Sequence, residues 1–144
     1  MKKYTAAVIG CGRIGCEFDD NLAQRENLIY SHAGAYHTAP RVDLVALCDV
    51  DKYKVEKYAA RYNTSLTTDY NQMLRIFQPD IVSVCTGPFL HYEIIKQCVS
   101  NGVKAIYCEK PIDISSETAI KTIKICKDAG VILIVNHMRR FSEF

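Results

Sequence analysis

Six residues near the N-terminus, Gly10-Cys11-Gly12-Arg13-Ile14-Gly15, constrain this chain more than any other stretch. They come after the apolar-leaning run Tyr4–Ile9 and lead into a segment able to open a helix. In that context G-x-G-x-x-G is the turn between strand and helix of a dinucleotide-binding βαβ unit. Gly10 would permit the tight bend, Gly12 would let the backbone approach a pyrophosphate, and Gly15 would let the helix pack on its strand. The helix N-terminus would offer free N–H groups and a partial positive charge to the phosphates. Glycine triplets also fill plain turns, so the loop takes its meaning from the elements downstream of it.

Those elements alternate strand and helix. A helix is expected from residue 13 to about 22, then a strand over Val42–Cys48, rich in apolar and β-branched residues. Residues 51–62 read as a helix, with Val55, Tyr58, Ala59 and Tyr62 at i, i+3, i+4 and i+7. Ser65–Thr67 is a short strand, and Asp69 caps a helix over Tyr70–Phe77 that Pro79 stops. Strands are expected at 81–85, 103–108 and 131–135. Helices are expected at 88–101, closed by Gly102, and from Ser115 or Ser116 to 129, closed by Gly130. Continuous apolar strands mark a sheet buried on both faces, and strand–helix alternation implies right-handed crossovers in a parallel sheet. The expected fold is α/β: a doubly wound, mostly parallel, Rossmann-like sheet of about six strands with helices on both faces. At 144 residues the chain has the length of one domain.

Composition removes several alternatives. A formal charge of +2 without a Lys/Arg run gives no electrostatic support to a nucleic-acid partner. No apolar run reaches the length of a membrane span, and no signal peptide fits the N-terminus. The seven cysteines include no C-x-x-C pair, so neither zinc spacing nor a secreted disulfide framework is indicated. Cys48, Cys85 and Cys108 sit in strand-like runs as small buried hydrophobes, and so many free thiols suit a reducing cytoplasm.

A second landmark is Asp49, where the chain leaves its second strand. A carboxylate there can accept hydrogen bonds from adenosine ribose hydroxyls and would repel a 2′-phosphate, favouring NAD. It can equally be a turn or capping aspartate. Arg13 and Lys52 keep NADP open as the cofactor, since a nearby base accommodates that phosphate. Asp49 lies 34 residues beyond Gly15, against roughly 20 expected from the loop. The excess falls in residues 17–40, read as an insertion after a short first helix. It is expected to cover the pyrophosphate or substrate edge of the cleft, a reading that packing on the far face of the sheet would exclude.

At Cys108-Glu109-Lys110-Pro111 the chain resembles the glucose–fructose oxidoreductase / inositol dehydrogenase / MocA family. The glycine loop, Leu44-Val45-Ala46-Leu47-Cys48-Asp49, the run from Pro79 to Thr86 with His91, and Asn136 with Arg139-Arg140-Phe141 match in the same order. The resemblance implies an NAD(P)-binding domain, with Thr86, Pro88 and His91 lining the nicotinamide half. It places Glu109 and Lys110 beside the ribose and the substrate carbon, with Lys110 as the catalytic group. It implies a sugar- or polyol-like substrate. An ammonium there can orient and polarise a hydroxyl oxygen, or relay its proton, as hydride leaves the carbon. Arg139 and Arg140 read as surface or linker charges.

The chain also departs from the family's pattern. Gly87 stands where a proline usually comes after the threonine, with Pro88 one place on. Ser31-His32-Ala33-Gly34-Ala35-Tyr36, carried on by His37, would continue the family's first helix beyond the insertion. The family's second α/β domain, which supplies most substrate contacts, is not expected within 144 residues. The resemblance therefore implies the cofactor half of an oxidoreductase, with little turnover of its own and an apolar surface favouring homo-oligomers. A non-catalytic nucleotide sensor and one subunit of a split enzyme are the alternatives.

Overall fold

The structure, a computed structural model, describes residues 3–20 and 28–137. Six strands form one sheet: β1 (Tyr4–Ile9), β2 (Val42–Cys48), β3 (Ser65–Thr67), β4 (Ile81–Val84), β5 (Ala105–Glu109) and β6 (Ile132–Asn136). Their order is β3-β2-β1-β4-β5-β6, and every pairing is parallel. The connection reverses direction between β1 and β4, and the C-terminal ends of those two strands open the crevice where such sheets bind ligands.

Among the described residues five α-helices cover the sheet: α1 (His32–Thr38), α2 (Lys52–Tyr62), α3 (Tyr70–Phe77), α4 (His91–Ser100) and α5 (Ser116–Asp128). One face of the sheet meets α1 and α2 through Val8, Ala33, Leu47, Val55 and Tyr58. The other meets α3, α4 and α5 through Ile9, Leu74, Val82, Ile95, Cys98 and Cys126. Asp51, Asp69 and Ser115 cap α2, α3 and α5 by accepting backbone N–H bonds from Lys54, Asn71 and Thr118. Each cap thereby satisfies a donor that the first helical turn leaves free.

The first helix departs from expectation. Residues 13–16 form turns and Glu17–Asp19 a 3-10 helix, while the α-helix begins only at His32. The cause is a clasp made by Asp19, 1% exposed, which accepts N–H bonds from Tyr30 at 2.8 Å and Ser31 at 3.1 Å. Ser31 then caps α1 by accepting from Gly34 N–H at 2.9 Å. The N–H groups of His32 and Ala33 donate to the carbonyls of Ile14 and Gly15, each at 3.0 Å. Thus α1 resumes the turn begun at Arg13, and the segment from Ser31 onwards continues the first helix as expected. Residues 21–27 of the expected insertion, and the stretch with Arg139, Arg140 and Phe141, lie outside the described residues. The expected helix at 88–101 also divides, into a 3-10 turn at Pro88–Leu90 and α4.

At the sheet edge away from the crevice, Asp80 ties β1 to β5. It accepts from Thr5 N–H at 3.0 Å and Thr5 Oγ1 at 3.2 Å, and pairs with Lys104 at 2.5 Å. The Lys104 ammonium and the Thr5 backbone push the Asp80 carboxyl down from 3.8 to about 2. A carboxyl lowered on folding stabilises the native state above its unfolded value, and that share is lost as pH falls through the folded value. Thermal melts of Asp80→Asn are therefore expected to show a constant gap from wild type above pH 4 and to converge with it as pH drops from about 4 to 2. A gap unchanged across that window would contradict the assignment.

Candidate functional site

The glycine loop leaves β1 against the end of β4. Gly10 has φ +97°, and a Cβ there would lie 2.6 Å from the carbonyl oxygen of Cys85. A Cβ on Gly15 would lie 1.9 Å from the carbonyl oxygen of Gly10. Both positions are closed to any side chain. Gly12 is different: a Cβ there meets nothing within 4 Å and points into open groove. Asp49 joins the loop through its carboxylate, one oxygen accepting Cys11 N–H at 2.7 Å and the other Asp51 N–H at 2.9 Å. Each oxygen keeps a lone pair free for a further donor.

Two cavities adjoin at the end of β4, where Cys85 and Thr86 line both. The first, about 450 Å³, is lined by Gly10, Gly12, Asp49, Val50, Thr68 and Tyr70 among others. The second, about 520 Å³, is lined by Arg13, Ile14, Phe18, Cys85, Thr86, Glu109 and Lys110. The glycine loop and the acid thus line one cavity and Glu109 and Lys110 the other, with Thr86 between them. The Cys85 thiol is pushed well up by burial and stays protonated, which leaves it unsuited to nucleophilic work. Among the described residues no group of three or more His, Cys, Asp or Glu is placed to hold a metal.

Glu109 is held from below. Its Oε1 lies 2.9 Å from His32 Nε2 and accepts from Asn136 Nδ2 at 2.5 Å. Asn136 Oδ1 accepts from the Tyr107 hydroxyl at 2.9 Å. His32 Nδ1 lies 2.8 Å from Ser83 Oγ, which lies 2.8 Å from the Tyr36 hydroxyl. Burial pushes the Glu109 carboxyl up, but the hydrogen bonds from His32 and Asn136 outweigh it and hold the group below its usual range. Lys110, the next residue, is exposed at the groove.

Two expected contacts fall elsewhere. His91 is fully buried, with Nε2 3.0 Å from the Thr86 carbonyl oxygen and Nδ1 3.2 Å from that of Ile112. It braces the turn after β4 against the segment after β5 and lines neither cavity of the groove. Pro88 opens the 3-10 turn, and Gly87 and Leu90 meet the first cavity in its place. Sequence reasoning passed over Val50, Thr68 and Tyr70, which lie just past strand ends and so were open to the same strand-end logic. It also passed over Phe18, hidden by the expectation of a helix, and the pairing of His32 with Glu109.

A parallel sheet of this order, with a glycine loop and an acid at its switch point, defines a dinucleotide-binding domain of the Rossmann type. The model of the oxidoreductase family with an NAD-binding Rossmann fold matches residues 4–137, and the chain belongs to that family, Gfo/Idh/MocA, as its NAD-binding domain. Relatives include D-glucoside 3-dehydrogenase of Escherichia coli (strain K12), 32% identical over 77% of this chain and 32% of that protein. Another is inositol 2-dehydrogenase of Rhizobium meliloti (strain 1021), 30% identical over 93% of this chain and 36% of that protein. Among solved structures, GenD2 from gentamicin A biosynthesis, in complex with NAD, is 25% identical with a TM-score of 0.77. The alignment covers 94% of this chain and 35% of GenD2. The chain thus spans about a third of the length of these relatives. Among the described residues no helix is long and apolar enough to cross a membrane.

Proposed function

We propose that this domain is the cofactor half of an oxidoreductase that moves a hydride between nicotinamide and a C–OH of a sugar, polyol or related hydroxy compound. The observation that carries the reading is the pair of adjoining cavities sharing Cys85 and Thr86, with Lys110 and Glu109 lining one and Asp49, Gly10 and Gly12 the other. Gly10, Gly12 and Gly15 shape the pyrophosphate seat, with Arg13 beside it. Asp49 takes the ribose hydroxyls, and the acid favours NAD over NADP. Ile14, Thr86 and Glu109 bound the nicotinamide half, while Pro88 and His91 set the turn that carries Thr86.

Bound cofactor supplies the hydride chemistry itself. The chain's part is to orient it and to place a cation where the substrate oxygen must lie. The Lys110 ammonium holds and polarises that oxygen as the hydride leaves the carbon. The buried bonds to Glu109 fix the strand end from which Lys110 projects. A second α/β region, on the same or another polypeptide, completes the substrate side. A sugar- or polyol-type substrate is supported by the relatives, a glucoside dehydrogenase and an inositol dehydrogenase. The free thiols suit a cytoplasmic setting. The reading includes association of copies of the chain and no nucleic-acid partner.

Titration of NAD and NADP against the chain and Asp49→Ala tests this. Loss of a charged hydrogen-bond acceptor is expected to weaken NAD binding by about tenfold and to narrow its preference over NADP. Absence of NAD binding by both proteins would overturn the groove's assignment. Equal NAD affinity would remove Asp49 from it.

A further inference from the structure

The insertion begins with four side chains that part company. Glu17 pairs with Lys54 of α2 at 3.0 Å. Asp19 turns inward to its clasp on Tyr30 and Ser31. Asp20 accepts from Lys57 and the Tyr58 hydroxyl, each at 2.7 Å, and from Arg61 at 2.8 Å. Burial works against the Asp20 charge, but these three donors prevail and hold its carboxyl below the usual range. The described start of the insertion is therefore fastened to α2, on the sheet face that carries α1, not on the far face.

Phe18 is the exception. Its ring lines the cavity that also holds Ile14, Thr86, Glu109 and Lys110, and it is absent from the lining of the cavity around Asp49. The Arg13 guanidinium carbon lies 5.1 Å from the ring centroid, and Phe18 N–H donates to the Arg13 carbonyl at 2.9 Å. The ring is only half-buried, so apolar area remains to be covered. A flat aromatic or sugar ring arriving in the cavity can cover it, by offset or edge-on contact with the aromatic face.

We propose that Phe18 is a binding contact for the nicotinamide half of the cofactor, an aromatic wall that the insertion adds and that Arg13 holds in place by stacking. The inference rests on the proposed placement of the nicotinamide half beside Lys110. It assigns the insertion a part in the cofactor groove that neither the glycine loop nor Glu109 and Lys110 supplies.

The test compares two ligands that differ by the nicotinamide. NADH and ADP-ribose are titrated against the chain, Phe18→Ala and Phe18→Tyr, with thermal melts alongside. Phe18→Ala is expected to weaken NADH binding about three- to tenfold while ADP-ribose stays within about twofold, and Phe18→Tyr is expected to restore NADH binding. Should Phe18→Ala fail to fold, Phe18→Leu keeps the apolar volume without the aromatic face and carries the same comparison. An unchanged NADH affinity, or an equal loss for both ligands, overturns the role of Phe18 alone. Wild-type protein that binds ADP-ribose as tightly as NADH overturns the placement of the nicotinamide half, and this inference with it.

Discussion

Gly15→Ala is expected to cost roughly 3 kcal/mol or more of folding stability and to abolish NAD binding, because its methyl group has nowhere to go. The new Cβ would stand 1.9 Å from the Gly10 carbonyl oxygen and 3.0 Å from its carbonyl carbon, both backbone atoms. Neither can swing aside as a side chain would. Relief requires the turn at residues 13–16 to lift from the end of β1, which dismantles the arrangement that presents the loop's N–H groups. Gly12→Ala supplies the contrast, since its Cβ meets only open groove. That variant should melt like wild type and still lose affinity for NAD. Urea or thermal melts read the first effect and NADH fluorescence titration the second. A Gly15→Ala protein of wild-type stability would show that this turn and β1 tolerate separation.

The second large effect is expected at the pair beneath Lys110. His32→Ala removes one partner of a buried pair whose side chains are 6% and 12% exposed. Breaking a buried pair by deleting one partner typically costs about 3 kcal/mol, since the remaining charge is left desolvated. The sign of its pH dependence comes from Glu109, whose carboxyl is held below its ordinary 4.5 in the folded protein. A carboxyl lowered on folding adds stability above its unfolded value, and that addition disappears as pH falls through the folded value. The stability gap between wild type and His32→Ala should therefore be full above pH 4.5 and close below it. His32→Gln, which keeps a donor toward Glu109, should recover part of the gap. A gap that persists unchanged into acid would mean that His32 contributes packing only.

The fold was largely legible because its signals are local. The apolar runs of the strands, the helical spacing of Val55, Tyr58, Ala59 and Tyr62, and the caps at Asp51, Asp69 and Ser115 act within one turn or one strand. The first helix was not, because what stops it at residue 16 is a contact between Asp19 and a backbone segment 11 and 12 residues away. Sequence periodicity carries no term for such a clasp. Asp49, Thr86 and Lys110 stand out in the sequence for a similar reason: they sit at strand ends, and ligands gather at strand ends in such sheets. The pair of His32 with Glu109 spans 77 positions, so nothing near either residue announces the other. His91 was misplaced by its position in the helix start. Only the tertiary arrangement shows that its ring points at the carbonyls of Thr86 and Ile112, away from the groove.

The splice at the start of α1 bears on how this scaffold tolerates change. The N–H groups of His32 and Ala33 reach back to the carbonyls of Ile14 and Gly15, so both ends of the excursion are anchored beside each other. Chain length added between two fixed neighbouring points costs little, about 0.6 kcal/mol for each doubling. The stretch between those anchors is therefore a place where added length is expected to be tolerated. Engineering that lengthens it or grafts a reporter into it would leave the order of strands untouched, provided Asp19 keeps its grip on Tyr30 and Ser31.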